Sequence, residues 1–403
     1  MKRNEILILM AALVVATPLP LFYHWLENDY ANRKYEQPVL SRPILAGHYE
    51  PELLSHRLIE FDRLSGVASA ERASLAFGNT RAWLSEVKRQ CHTALSNQDY
   101  LTCANQLLGR HFYYSPVQAV SEGWANHYSD CDLNVYLLMD AMHIAGREAE
   151  IVYAPHHAFI SYRDEITHEP LYWETTTHHN TGVPADLRDD FYQKTPSHFY
   201  YTPQPASYAE SLYPVLVVSK IEPPERRRGL LVSLHQRYPD NPIVQDVWYE
   251  QKQDITREDA QLLISLLKTD ITSVSKRLLL VSYFSSHNEE DKARQLLSEI
   301  SDGDCNRACL QQKSQRSALY NFAQWGISQL KNLDIRVSLR DFFEIIGDTV
   351  KIFALILSFF GLYKVHRKWP TATAIHNSHY YPRHPNDRAD GKPITQCPDR
   401  LQQ

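Results

Sequence analysis

Glycine is scarce in this chain, with 13 residues in 403. No Gly-rich loop of the kind that cradles phosphate occurs, and both facts argue against a nucleotide-handling enzyme. The spacing His-Glu-x-x-His is missing too. His156, His157, His168, His178 and His179 lie close together in the chain. A hydrolytic zinc site, however, needs three ligands at a recognisable spacing and an open position. No metal and no other cofactor is therefore expected. Positive charge is not in excess, since 42 Lys and Arg stand against 47 Asp and Glu for a net charge of −5. With no basic aromatic stripe, nucleic acid is not an expected partner. A clean repeat period is also lacking.

What is present is one cysteine with a base and an acid behind it in chain order. In the segment from Ser129 to Gly146, Leu133, Tyr136, Leu137, Ala141 and Ile144 recur at helical spacing. Ser129 or Asp130 can cap that helix and Gly146 can end it. Cys131 then falls in the first turn, where free N–H groups and the helix dipole favour a thiolate and can hold an oxyanion. Asp130 and Asp132 flank the thiol and act against its ionisation. Residues 149–153 and 158–162 read as strands, with His157 at the start of the second. On a strand His156 and His157 point to opposite faces, so only one of them can face the thiol. Residues 171–176 form a third predicted strand that carries Glu174 within reach of a histidine on its antiparallel neighbour. A thiol with a base and an orienting carboxylate is the arrangement that nucleophilic catalysis requires.

Together these segments resemble the core of the transglutaminase-like superfamily, a papain-type fold with Cys, His and Asp in that order. The resemblance rests on the Cys at a helix start, on GREAEIVY before the second motif, on HAFISY and on YWETT. It covers roughly residues 110–180 and departs from the family in Glu for Asp and in the acidic residues beside the Cys. It implies that Cys131 is the nucleophile, His157 the base and Glu174 the acid. Papain-like folds also need an amide donor for the oxyanion, for which Gln118 and Asn126 are candidates upstream of Cys131.

The ends of the chain suggest a location. Met-Lys-Arg is followed by an apolar stretch from Ile6 to about Trp25, long enough to span a bilayer. Val14 and Ala16 alternatively offer the spacing of a cleaved signal peptide. A second apolar segment runs from Ile345 to Tyr363 with Asp348 and Lys351 one turn apart, and it reads as a second span or as a buried amphipathic helix. Lys2 and Arg3 before the first segment and Lys364, Arg367 and Lys368 after the second both belong inside. This places the intervening chain in the periplasm of a bacterial inner membrane, with the N-terminus and the tail in the cytoplasm. Two local disulfides, Cys91–Cys103 and Cys305–Cys309, then leave Cys131 as the only free thiol of the exported part, with Cys397 in the reducing compartment. Cys305 and Cys309 can alternatively bind metal, though no second close ligand pair accompanies them.

The expected fold class is α+β. A papain/transglutaminase-like core, with the Cys helix on an antiparallel sheet, is followed by an α-helical hairpin array and flanked by two transmembrane helices. The expected organisation is an anchor at 1–26, a stalk at 27–66, the thiol domain at 67–224, a helical domain at 225–340, a second span at 344–365 and a disordered tail at 366–403. Phe199–Tyr201 and Val215–Val218 are expected to complete the sheet or form a cleft rim. Leucine-rich clusters from Leu230 to Leu297 predict successive short helices, read either as an irregular tetratricopeptide-like array or as an ordinary bundle. The expected activity is that of a membrane-anchored thiol enzyme acting on amide bonds of a protein or peptide, with a further protein partner on the helical array. The alternative is an inactive transglutaminase-like scaffold that joins partners at the membrane.

Overall fold

In the computed structural model, residues 18–24, 26, 36, 38–177, 180–252, 254–301, 305, 309–310, 313, 325–327, 329 and 339–366 are described. Residues 36–313 belong to one compact unit, and a second unit takes in 1–35 and 314–393. The first unit opens with α1 (Leu54–Ser65), α2 (Ala70–Gln90) and α3 (Asn97–His111). After the short strand β1 (Tyr113–Tyr114) come α4 (Val120–Ala125), β2 (Tyr128–Ser129) and α5 (Cys131–Ile144). The strands β3 (Glu150–Ala154), β4 (His157–Arg163), β5 (Pro170–Thr177) and β6 (Thr181–Pro184) follow. The unit continues with α6 (Ala206–Leu216), α7 (Pro224–Arg237), α8 (Pro242–Glu250), α9 (Arg257–Leu266), α10 (Val274–Ser286) and α11 (Glu290–Ser298).

The helix α5 is central because it is apolar nearly all round, and every residue from Cys131 to Met142 is buried. It also organises its neighbours. The start of α1 has no side-chain cap of its own, and Asp140 of α5 supplies one. Asp140 Oδ1 accepts the Leu54 N–H at 2.7 Å and Oδ2 accepts the Ser55 N–H at 2.8 Å. Burial pushes the Asp140 carboxyl up to about 6, against the pull of those donors. Ser69 and Ser96 cap α2 and α3 in the ordinary way, and the disulfide Cys91–Cys103 ties the end of α2 to α3. The second expected disulfide, Cys305–Cys309, is also formed.

The four long strands make an antiparallel sheet in the order β3-β4-β5-β6. Strand alternation separates its two faces. Ile151, Tyr153, Ala158, Ile160, Tyr162 and Trp173 join the main core with Leu133, Tyr136 and Leu137 of α5. Val152, Ala154 and Phe159 form a smaller cluster with Tyr192 on the opposite face. The edge strand β6 requires Gly182, since a Cβ there would fall 2.2 Å from Trp173 Nε1 and 2.3 Å from Asn105 Oδ1. Those two atoms hydrogen-bond to each other at 2.9 Å.

Several expectations need correction. The sheet is completed by β6; Val215 and Leu216 end α6, and Val218–Lys220 is a 3-10 turn. A four-residue apolar run fits a buried helix end as well as a strand, so periodicity could not decide. The segment read as a stalk contains α1, whose Leu54, Leu58 and Ile59 are in the core. Among the described residues no helix is long and apolar enough to cross a membrane. This overturns the two spans, and with them the inner-membrane, periplasmic and cytoplasmic assignments. The C-terminal helix Leu339–His366 is long, but Arg340, Asp341, Glu344, Asp348 and Lys351 charge its first half. The apolar run that remains, Ile352 to Tyr363, is about a dozen residues, where a span needs about 20. At the other end the described helix is only Pro18–His24; most of the expected anchor, Cys397 and the tail after His366 lie outside the described residues.

The helical region bears out the leucine clusters, each of which falls on one of α7 to α11. The RYPDNP segment is the turn from α7 to α8, with Asn241 accepting the Ile243 and Val244 N–H groups and Pro242 at the first helical position. At the heart of this region lies Lys276 of α10, fully buried. Its Nζ donates to Asp246 Oδ1 at 2.5 Å, Asp270 Oδ2 at 2.7 Å and the Pro242 carbonyl at 3.4 Å. Burial alone lowers a lysine, but the two aspartates outweigh it and hold Lys276 above its ordinary value.

Candidate active site

The cysteine comes first, because its helix sets its position. Asp130 caps α5, with Oδ1 3.4 Å from the Leu133 N–H and Oδ2 accepting the Val117 N–H at 3.1 Å. One of the two acidic flanks is thus engaged in starting the helix and in tethering the segment ahead of it. The other approaches the sulfur, with Asp132 Oδ1 3.4 Å from Cys131 Sγ. Cys131 is 1% exposed. Its sulfur is disulfide-bonded in this structure, and no described cysteine is free. This corrects the expectation of a free Cys131, which rested on pairing only cysteines close together in the chain. In the oxidised form the approach of Asp132 is a contact, and the nucleophile exists only after reduction.

The base and the acid meet directly. Pro155 and His156 make the two-residue turn between β3 and β4, and His156 takes φ +58°. Proline followed by a left-handed residue is the pattern of a type II turn. This separates the two adjacent histidines, with His156 in the turn and His157 on the strand. His157 Nε2 lies 2.6 Å from Glu174 Oε2, and the two side chains are 2% and 0% exposed. The bulge that begins at Glu174 on β5 turns the chain so that Glu174 Oε1 accepts the Thr175 N–H at 2.8 Å, the Thr176 N–H at 3.0 Å and the Thr176 hydroxyl at 2.9 Å. Burial pushes the Glu174 carboxyl up, but His157 and the Thr176 donors prevail and hold it below its ordinary value. A carboxylate this well supplied with donors is an acceptor only. The shared proton therefore resides on His157 Nε2, and in the neutral ring Nδ1 carries the lone pair. That Nδ1 is buried and makes no hydrogen bond among the described residues.

His157 and Glu174 lie on the sheet face of Phe159, where the 186–201 segment covers them like a strap. The Phe191 ring meets His157 edge-on at 5.4 Å, and the Tyr192 hydroxyl reaches Glu174 Oε2 at 3.4 Å. Cys131 stands at the head of α5, which packs on β3, β4 and β5, and it belongs to neither apolar cluster of the sheet. The structure thus joins two of the three expected residues by a hydrogen bond and sets the third on the helix laid against their strands.

The oxyanion candidates separate. Asn126 is engaged elsewhere, its Oδ1 accepting from Arg72 at 2.9 Å and its Nδ2 donating to the Glu122 carbonyl at 2.9 Å. Gln118 follows Val117, the residue tethered by the cap of α5, so it stays close in chain to the head of the cysteine helix. Of the dense histidines, His168 sits in the turn from β4 to β5 with φ +58°, while His178 and His179 lie outside the described residues. Sequence reasoning missed Phe191 and Tyr192. They belong to a stretch rich in Tyr, His and Pro with no periodicity to single them out. Compared with known proteins, the chain matches no family model, no curated protein and no solved structure.

Proposed function

We propose that the chain, in its reduced form, is a thiol enzyme of the transglutaminase-like type acting on an amide carbonyl of a peptide or protein. The observation that supports this most is the buried imidazole of His157, which gives one nitrogen to an ionised carboxylate and leaves the other without a hydrogen bond among the described residues. Nδ1 takes the proton of the Cys131 thiol, and the thiolate attacks the amide carbon. First-turn N–H groups of α5 hold the oxyanion. Collapse of the adduct breaks the C–N bond, the imidazolium returns its proton to the leaving amine, and an acyl-enzyme remains. Water then gives hydrolysis and a second amine gives transfer. A groove of about 620 Å³ lined in part by Phe199, Tyr208, Tyr238 and Arg237 suits a peptide, because its aromatic walls offer stacking surface. The turns of the helical region that contribute to that groove are where a protein partner is expected to sit.

The second assignment, an inactive scaffold, is favoured by the Asp132 carboxylate against a sealed sulfur. Alkylation of Cys131 by iodoacetamide in the reduced chain, followed by mass spectrometry across pH, separates the two. An enzyme shows a midpoint well below the ordinary thiol value of about 8.5, and His157→Ala returns it there. At pH 6.5 that substitution slows alkylation at least about tenfold. An ordinary midpoint in the parent chain, unmoved by His157→Ala, leaves the scaffold.

A further inference from the structure

We infer that Tyr192 is a positioning residue of the His157–Glu174 pair, governing through Glu174 how strongly His157 holds a proton; this rests on the enzyme assignment for its meaning in catalysis. Its hydroxyl lies 3.4 Å from Glu174 Oε2, the same oxygen that receives His157 Nε2. Two donors thus share one lone-pair region, while the other oxygen is filled by Thr175 and Thr176. A carboxylate divides its charge among its donors. What Tyr192 draws off is withdrawn from the imidazole, and what it releases returns there.

The position of Tyr192 is fixed from several sides. Its ring packs on Phe159 at 5.3 Å, on Phe191 at 5.1 Å and on Tyr201 at 6.4 Å, and it is buried. The Tyr201 hydroxyl donates to the Gln193 carbonyl at 2.6 Å, and the Thr195 hydroxyl donates to the Thr269 carbonyl at 3.2 Å. The strap is therefore pinned at two points just after Tyr192, at the second of them to the helical region. Titratable and charged groups that face Tyr192 are Glu174, Asp189 and Tyr201. Burial, with the charge of Glu174 behind it, pushes the Tyr192 hydroxyl far above its ordinary value, so it remains a donor at any working pH.

The test is the titration of the His157 ring by NMR in the full reduced chain with labelled histidine. Four forms are compared: parent, Tyr192→Phe, Glu174→Gln and the double variant. Tyr192→Phe keeps the ring and its packing, and it is expected to raise the His157 midpoint by about half a pH unit as Glu174 turns its charge to the imidazole. In the Glu174→Gln background the same change is expected to have no effect. Tyr201→Phe removes a neighbouring hydroxyl that does not touch Glu174, and it is expected to leave the midpoint in place. An unchanged midpoint in Tyr192→Phe, an equal shift in both backgrounds, or an equal shift from Tyr201→Phe overturns the inference. Repeated in a Cys131→Ser background the titration is free of the thiol, so its failure is distinct from an ordinary thiol profile, which removes the enzyme assignment alone.

Discussion

Two buried ionic groups, one in the helical region and one in the sheet, share a cost and differ in outcome. Lys276 has three donors, and Asp246, Asp270 and the Pro242 carbonyl take them. Asp246 further accepts the Ser273 hydroxyl at 2.9 Å. Such a cluster has little capacity left for another molecule; it fixes how α8, the α9–α10 turn and α10 meet. The His157–Glu174 pair is as deeply buried, yet among the described residues one ring nitrogen makes no hydrogen bond. Taking charge out of water is expensive in either case. Where every valence is filled, the return is a defined packing. Where one is left open, the return is a place for a proton to go. Saturation, more than burial or charge, is what separates a structural cluster from a chemical one.

The largest effect that can break this contrast is on the helical side. Lys276→Met leaves Asp246 and Asp270 buried without a cation, and it is expected to cost about 3–5 kcal/mol in urea unfolding. A loss under about 1 kcal/mol would show that the cluster is not what holds these helices together. On the sheet side, Glu174→Gln is expected to cost only about 1 kcal/mol, because the amide oxygen still accepts from Thr175 and Thr176. Its effect falls on reactivity. An amide N–H facing His157 Nε2 forces the ring proton onto Nδ1, so alkylation of Cys131 drops to the level of His157→Ala. Large loss of stability with unchanged alkylation would reverse the comparison.

The smallest effect is on the pH profile of stability. The Glu174 carboxyl lies below its ordinary 4.5 in the fold. Its contribution is present above 4.5 and is lost as the pH falls through the folded value. His56 and His111, held down to about 4 by burial, lose in the same direction below 6.5. Asp140 is pushed up to about 6 from 3.8 and runs the other way, with a contribution complete below 3.8 and lost as the pH rises through about 6. Glu174→Gln should therefore soften the acid side of the profile and leave the Asp140 limb untouched. Urea midpoints of parent and variant from pH 3 to 7 read this directly.

Much of this was legible in the sequence. The cysteine helix, the three strands behind it and the clusters of α7 to α11 follow from period and capping, and both local disulfides follow from spacing. His157 and Glu174 were readable because they sit on strongly patterned strands. Less was legible where structure depends on distant partners. β6 is a four-residue strand, Thr-Gly-Val-Pro, with no alternation, and it exists because Trp173 and Asn105 leave room for Gly182. Lys276 looks like any surface lysine until α8 and the α9–α10 turn bring it two carboxylates. Tyr192 gains meaning only when its strap folds back on the sheet. The C-terminal end suggested a span because its apolar residues are counted more easily than the charges in the first half of the same helix.

The strap over the sheet also sets a clock. With Cys131 1% exposed and His157 and Phe191 in edge contact, a reagent or substrate reaches the pair only during an opening. At low reagent concentration the labelling rate rises in proportion. At high concentration it levels off at the opening frequency itself, which is the same for every reagent small enough to enter. The plateau is a property of the fold, independent of how reactive the sulfur is once it is uncovered.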